Sequence, residues 1–220
     1  MSLKCKIDDA AFYTDLVNKT KEVTITTIQK VASLADFNRI LLLASLSDLA
    51  LNDLGFTINE AKIRLALDDY DPKKIVKEGK YVDLLNKLLK IFPPEKKSAC
   101  KKLAQAITLS SHYLCRYQDM TQYETKLKLV CVDMKTTEKF LDDFRKTSGI
   151  FGMYFNKASL VFQTSGLLDV PFVNKAAKEL IMKEYDLEDN NTVIYEKLLK
   201  IAATNKVSCN ELNMRINAIK

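Results

Sequence analysis

The sequence predicts an all-α protein, a globular bundle of about nine or ten helices, and three observations carry that prediction. The 220 residues include only five Gly and four Pro, too few of the turn-forming residues that a barrel, a sandwich or a glycine-rich phosphate loop requires. Apolar residues recur at three- and four-residue spacing along most of the chain, the period of a helix with one face on a core. Hydroxyl and amide side chains stand where helix starts need caps, and glycines stand where left-handed helix ends need them. With 47% hydrophobic and 28% charged residues, the chain can bury one sizeable core and is too well mixed to be disordered. A single domain over 1–220 is expected, divided into helical lobes at 24–148 and 167–220 that a helix over 149–166 joins.

Taken in chain order, Met1 to Lys6 is basic but runs directly into Ile7-Asp8-Asp9, so no export signal is expected. Phe12, Tyr13, Leu16 and Val17 give residues 1–23 an apolar face and the character of an N-terminal arm that neighbouring subunits could exchange. Val23 to Ile28 is rich in β-branched residues and is the one strand-like stretch, too short to build a sheet. Ile40 to Leu54 is the most apolar segment; Ser45, Ser47, Asp48, Asn52 and Asp53 interrupt it, which makes it a core helix rather than a membrane span. Gly55 closes it. Thr57 with Glu60, Thr121 with Glu124 and Ser208 with Glu211 have capping-box spacing: the hydroxyl accepts from the third helical N–H while the carboxylate reaches back to the cap. Asp71-Pro72 and Pro93-Pro94-Glu95 place proline in a first turn, and Asn190-Asn191-Thr192 offers a further cap.

After Gly79, Val82, Leu85, Leu89 and Phe92 form one face with Leu88 and Ile91 beside them, and Lys80, Asp83, Lys87 and Lys90 form another. In the next segment Ala99, Leu103, Ala106, Ile107, Ser110, Leu114 and Tyr117 trace a long core-facing stripe. Gly149 ends a helix, and the stretch to Gly166, with Phe151, Tyr154, Phe155 and Phe162, reads as a central buried helix or a hinge. An echo runs from Ala61-Lys62 through Lys87–Ile91 to Ala177-Lys178 through Lys197–Ile201. Its intervening lengths differ, whereas a duplicated solenoid keeps a fixed period.

The charge is lopsided. Between Pro72 and Lys102 stand ten lysines (Lys73, Lys74, Lys77, Lys80, Lys87, Lys90, Lys96, Lys97, Lys101 and Lys102) against three acids (Glu78, Asp83 and Glu95), an excess of seven in a chain whose net charge is +6. On short neighbouring helices several of these lysines would share a surface, and such a surface neutralises nucleic-acid phosphates with salt-dependent, sequence-independent affinity. The plainer reading is a solvated face that keeps the protein soluble. The cluster contains no arginine, the residue of choice for bidentate phosphate recognition and base stacking, so it points to nonspecific backbone contact or to none at all; Arg116 lies one helix further on. Anionic lipid competes for the same lysines, but Ser2 stands where myristoylation needs Gly and the C-terminus is no prenylation box, so a membrane surface ranks lower.

Chemistry is sparsely equipped. With one His and no Trp, general acid–base work at neutral pH has little material. Five cysteines (Cys5, Cys100, Cys115, Cys131 and Cys209) without a C-x-x-C pair fit free thiols in a reducing, cytoplasmic compartment. His112 and Cys115, with Cys100 and Cys131, form a weak zinc or thiol candidate that lacks paired short spacing. Asp68-Asp69-Asp71, Asp142-Asp143 and Glu188-Asp189 lack a calcium-loop pattern and read as caps and solvated faces. Thr147-Ser148-Gly149 and Thr164-Ser165-Gly166 read as helix ends rather than nucleophile elbows. No catalytic residue, metal, cofactor or small-molecule substrate is expected.

At the level of class, an all-helical, Trp-free, basic chain without catalytic apparatus looks like the nucleoprotein or structural proteins that viruses use to coat RNA. That resemblance implies a non-enzymatic, homo-oligomeric protein whose partner is nucleic acid, RNA first, or another polyanion. The alternative is a helical adaptor or inhibitor that binds a protein partner through an apolar groove, with the exposed aromatics of 151–162 as its contacts.

Overall fold

A computed structural model describes residues 7–78 and 80–219. The first six residues of the expected arm, Cys5 among them, and Gly79 lie outside the described residues. Among the described residues thirteen α-helices form where nine or ten were expected: α1 (Asp9–Lys19), α2 (Leu34–Ser45), α3 (Asp48–Asp53), α4 (Phe56–Ala66), α5 (Pro72–Glu78), α6 (Tyr81–Leu89), α7 (Lys97–Leu114), α8 (Met120–Val130), α9 (Met134–Ser148), α10 (Phe155–Thr164), α11 (Lys175–Tyr185), α12 (Asn191–Asn205) and α13 (Cys209–Ala218). Short 3₁₀ turns lie at Asp68–Tyr70 and Pro94–Lys96, and there is no strand among the described residues.

The extra helices come from breaks that apolar periodicity hides. Ile40–Leu54 is not one helix: α2 stops at Ser45, and Ser47 caps α3 by accepting from the Ala50 N–H at 3.3 Å. Val23–Ile28 is neither strand nor helix, since no second strand stands among the described residues to satisfy it. The boxes at Thr57 and Thr121 do not form. Gly55, left-handed at φ 54°, precedes α4 without any side-chain cap, and Asp119, not Thr121, caps α8 by accepting from Gln122 N–H at 2.8 Å. Ser208 does cap α13, but Glu211 turns to Tyr13 and Arg215 rather than back to the cap. A reciprocal capping box not anticipated joins Asp133 and Thr136 at the start of α9. Asp71, Asn190, Gly149 and Gly166 stand at the helix ends expected of them.

Contacts divide the chain into two compact units. Val31–Val161 forms one, and the described residues up to Lys30, together with those from Phe162 onward, form the other. In the first, α7 packs most extensively on α2, α5 and α6. Its core joins Leu42, Ile63, Leu84, Leu88, Leu103 and Ile107, with Cys100 among them. The buried seam of α6 is Leu84, Leu85 and Leu88; Val82, expected on that face, is 56% exposed, and Leu89 is half-buried. Beside this core Tyr113, Tyr117, Tyr123 and Phe144 stack edge-to-face, and the Tyr113 and Tyr123 hydroxyls meet at 3.2 Å. In the second unit α1 packs on α12 and α13, and α11 packs on the same two helices. Phe12 and Leu16 of α1 are buried, Asp9 accepts from Lys197 Nζ at 2.5 Å, and Tyr13 donates to Glu211 at 2.6 Å.

Candidate nucleic-acid interface

The frame of the basic surface is α7. Its 18 residues follow the two prolines Pro93 and Pro94, which fix the entry to the helix, and its buried positions (Ala99, Cys100, Leu103, Ala104, Ala106, Ile107, Ser110, Ser111, Tyr113 and Leu114) cover one continuous side. The opposite side carries Lys97, Lys101, Lys102, Gln105 and His112, all exposed. From Lys96 to Gln118 the chain contains no Asp or Glu, so no carboxylate of α7 itself can neutralise these cations. Three of the lysines fall in the first two turns, at the positive end of the helix dipole, where cations are disfavoured.

The ten lysines of the basic stretch do not act alike. Lys87, half-buried, bridges Asp68 at 3.1 Å and Glu78. Burial pulls the Lys87 pKa down, but the hydrogen bonds to Glu78 and Asp68 outweigh it and the net shift is upward. Lys96 is paired with Asp53. Lys73 donates to the carbonyl of Gln118 at 2.6 Å, and Lys74 lies 4.0 Å from Asp71. Lys77, Lys80, Lys90, Lys97, Lys101 and Lys102 are exposed and have no ion-pair partner among the described residues. Of these, Lys97, Lys101 and Lys102 share the outer face of α7. Arg116 is exposed and stands 5.8 Å from the ring of Tyr113.

Next to that face is a cleft of about 280 Å³ lined by Ser45, Leu46, Ser47, Lys102, Gln105, Ala106, Leu109 and Phe151. Sequence reading missed it, although its signal is visible in Gly149-Ile150-Phe151-Gly152-Met153. Gly149 and Gly152 both take left-handed conformations, at φ 71° and 74°, and Ile150 and Met153 are fully buried. The short link between α9 and α10 is thereby pinned on both sides while Phe151 stays 64% exposed. Of the other aromatics expected there, Tyr154 is exposed and carries the Arg145 guanidinium 4.6 Å from its ring centre, whereas Phe162 is fully buried.

The residues weighed for chemistry are dispersed. His112 lies on the outer face of α7 and Cys100 on its buried side; Cys115 donates to the His112 carbonyl. Burial raises the Cys100 and Cys131 thiols, and burial followed by the charge of Asp169 pushes Cys209 up to about 12. Among the described residues no three His, Cys, Asp or Glu side chains gather as a metal site would need. Asp68, Asp69 and Asp71 turn apart, to Lys87, to Arg64 and to the N–H groups that open α5. Ser148 accepts from the Ile150 N–H, and Ser165 donates to the Phe162 carbonyl, both at helix ends. Among the described residues no helix is long and apolar enough to cross a membrane. No family model, no curated protein and no solved structure matches the chain.

Proposed function

We propose that this protein is a non-enzymatic nucleic-acid-binding protein that holds an RNA backbone on the outer face of α7, with Lys97, Lys101 and Lys102 as its principal contacts. One observation carries the reading: three exposed, unpaired lysines occupy the first two turns of a helix that contains no carboxylate. At that end the helix dipole adds to their positive potential, so the arrangement opposes helix stability and favours an anionic partner. Lys90, Lys77 and Lys80 are supplementary contacts; Lys87 and Lys96 are not, because acids already hold them. With no arginine on the face, recognition is of phosphate rather than of sequence.

The test is binding of the full chain to a labelled RNA at two salt concentrations, beside a Lys97→Glu/Lys101→Glu/Lys102→Glu variant. Affinity that falls steeply with salt and is lost in the variant is the expected result. Absence of binding at low salt refutes the reading and favours a protein partner instead. Light scattering on the same samples reports whether several copies assemble along one RNA, as a coating role requires.

A further inference from the structure

The cleft beside the basic face has the composition of a base-stacking subsite. From it we infer that the nucleic acid is bound single-stranded, with one unstacked base lying against Phe151. This rests on the backbone-binding reading above and adds to it the strandedness of the ligand. Lys102 belongs to both places, since it stands on the lysine face of α7 and lines the cleft.

The chemistry of the lining fits a planar, weakly polar ring attached to a phosphate. Phe151 offers an exposed aromatic ring, and Leu46, Ala106 and Leu109 supply an apolar floor. Gln105 is exposed and has no hydrogen-bond partner among the described residues, so its amide is free to donate and accept at a base edge. Ser45 already donates to the Leu42 carbonyl and Ser47 already accepts from the Ala50 N–H, which leaves the Ser47 O–H as a further donor. No carboxylate lines the cleft to repel a phosphate. At about 280 Å³ it falls just below the ~300–1,000 Å³ of pockets that enclose a whole drug-sized ligand, which suits one ring of a polymer held mainly elsewhere.

The loop that carries the ring is also pre-organised. Buried Ile150 and Met153 anchor the loop, and the left-handed Gly149 and Gly152 set its path, so little freedom is lost when a base stacks on Phe151. A duplex keeps its bases paired and cannot use such a platform, whereas single strands are bound by a basic track with aromatic stacking.

The experiment compares a single-stranded RNA, a duplex of the same sequence and inorganic polyphosphate, each against the intact chain and a Phe151→Ala variant at fixed salt. The variant is expected to lose about tenfold in affinity for the single strand, the ~1.4 kcal/mol of one stacked base. Its duplex and polyphosphate affinities and its salt dependence are expected to stay as they were. In a Phe151→Trp variant, which carries the only indole of the chain, single-stranded RNA is expected to quench fluorescence and polyphosphate is not. If Phe151→Ala affects single strand and duplex equally, or neither, the stacking inference is overturned while the lysine face stands. If none of the three polyanions binds the intact chain, both readings fall together.

Discussion

The division of the ten lysines into held and free groups makes a quantitative forecast. Each phosphate neutralised on a single strand contributes about −0.7 to the slope of log affinity against log salt. Lys97, Lys101 and Lys102 have no acid partner, so replacing all three by Gln is expected to flatten the slope by about 2. Over a fourfold change in salt that difference amounts to roughly fifteenfold in affinity. Lys87→Gln and Lys96→Gln are expected to leave the slope unchanged, because Asp68, Glu78 and Asp53 already take their charges. Lys87→Gln should instead lower stability by about 1 kcal/mol, a modest amount for a half-exposed pair screened by solvent. Fluorescence anisotropy with a labelled single strand at several salt concentrations measures the slopes, and urea unfolding measures the stabilities. If Lys87→Gln and Lys96→Gln flatten the slope as much as the α7 triple variant, affinity follows total charge and the assignment to one helix face is wrong.

Three further outcomes follow from the unit that contains α1. The Asp9 side chain is 8% exposed and its partner is the Lys197 ammonium, 2.5 Å away and 3.7 Å from the centre of the Tyr185 ring; Lys197→Met leaves a buried carboxylate uncompensated and should cost about 3–5 kcal/mol in urea unfolding, with Asp9→Asn in the same chain recovering most of it. Gly166 has φ 68°, and a Cβ there would sit 2.9 Å from Lys30 Cα; Gly166→Ala is therefore expected to destabilise by about 2 kcal/mol, and a neutral result in thermal unfolding would show that the Lys30 backbone can retreat. The hydrogen bond from Tyr13 and, against the opposing effect of burial, the hydrogen bond and charge of Arg215 hold the Glu211 pKa below its ordinary 4.5. As pH falls, the unfolded chain takes up this proton first, so the stability Glu211 adds is complete above 4.5 and is lost below it; Tyr13→Phe should reduce the acid-side slope in unfolding measured across that range.

The helical class was legible because it follows from composition and from the period of the apolar residues, and both survive local errors. The core stripe of α7 was legible for the same reason: eighteen residues provide five turns of consistent pattern. Short elements were not. α3 has six residues, too few for periodicity to separate it from α2, and the break at Ser47 depends on a serine that reads equally well inside a helix; α5, with seven, was marked only by the proline at its start. The seam of α6 was misplaced toward Val82 because Leu84, Leu85, Leu88 and Leu89 allow two faces, and only contact with α7 decides between them. Two capping boxes failed for a related reason, since Gly55 and Asp119 each offered a helix start two residues earlier. At the candidate site the lysines were visible as a count, but their partners were not: Asp53 and Asp68 lie outside the basic stretch, and only the tertiary fold brings them to Lys96 and Lys87. The cleft is likewise tertiary, with its wall drawn from the end of α2, the middle of α7 and the loop that carries Phe151.

If the lysines at the start of α7 served only folding, their position would be a poor choice. A carboxylate in the first turn of a helix is favourable by about 0.3–1 kcal/mol, and a cation there is unfavourable by a similar amount. Lys97 and Lys101 are also one turn apart with like charge, whereas a carboxylate at position 97 would stand N-terminal to Lys101 in the favourable order, for another ~0.3–0.5 kcal/mol. Lys97→Glu is therefore expected to stabilise the protein by about 1 kcal/mol while weakening RNA binding. For a chain of this length that corresponds to a rise of about 2–4 °C in the midpoint of thermal unfolding. Opposite signs in the two measurements would identify Lys97 as a residue kept for its partner at the expense of its helix. A lower unfolding midpoint in Lys97→Glu would mean that the lysine supports the fold through its own packing, and its place at the start of α7 would then be no argument for a partner.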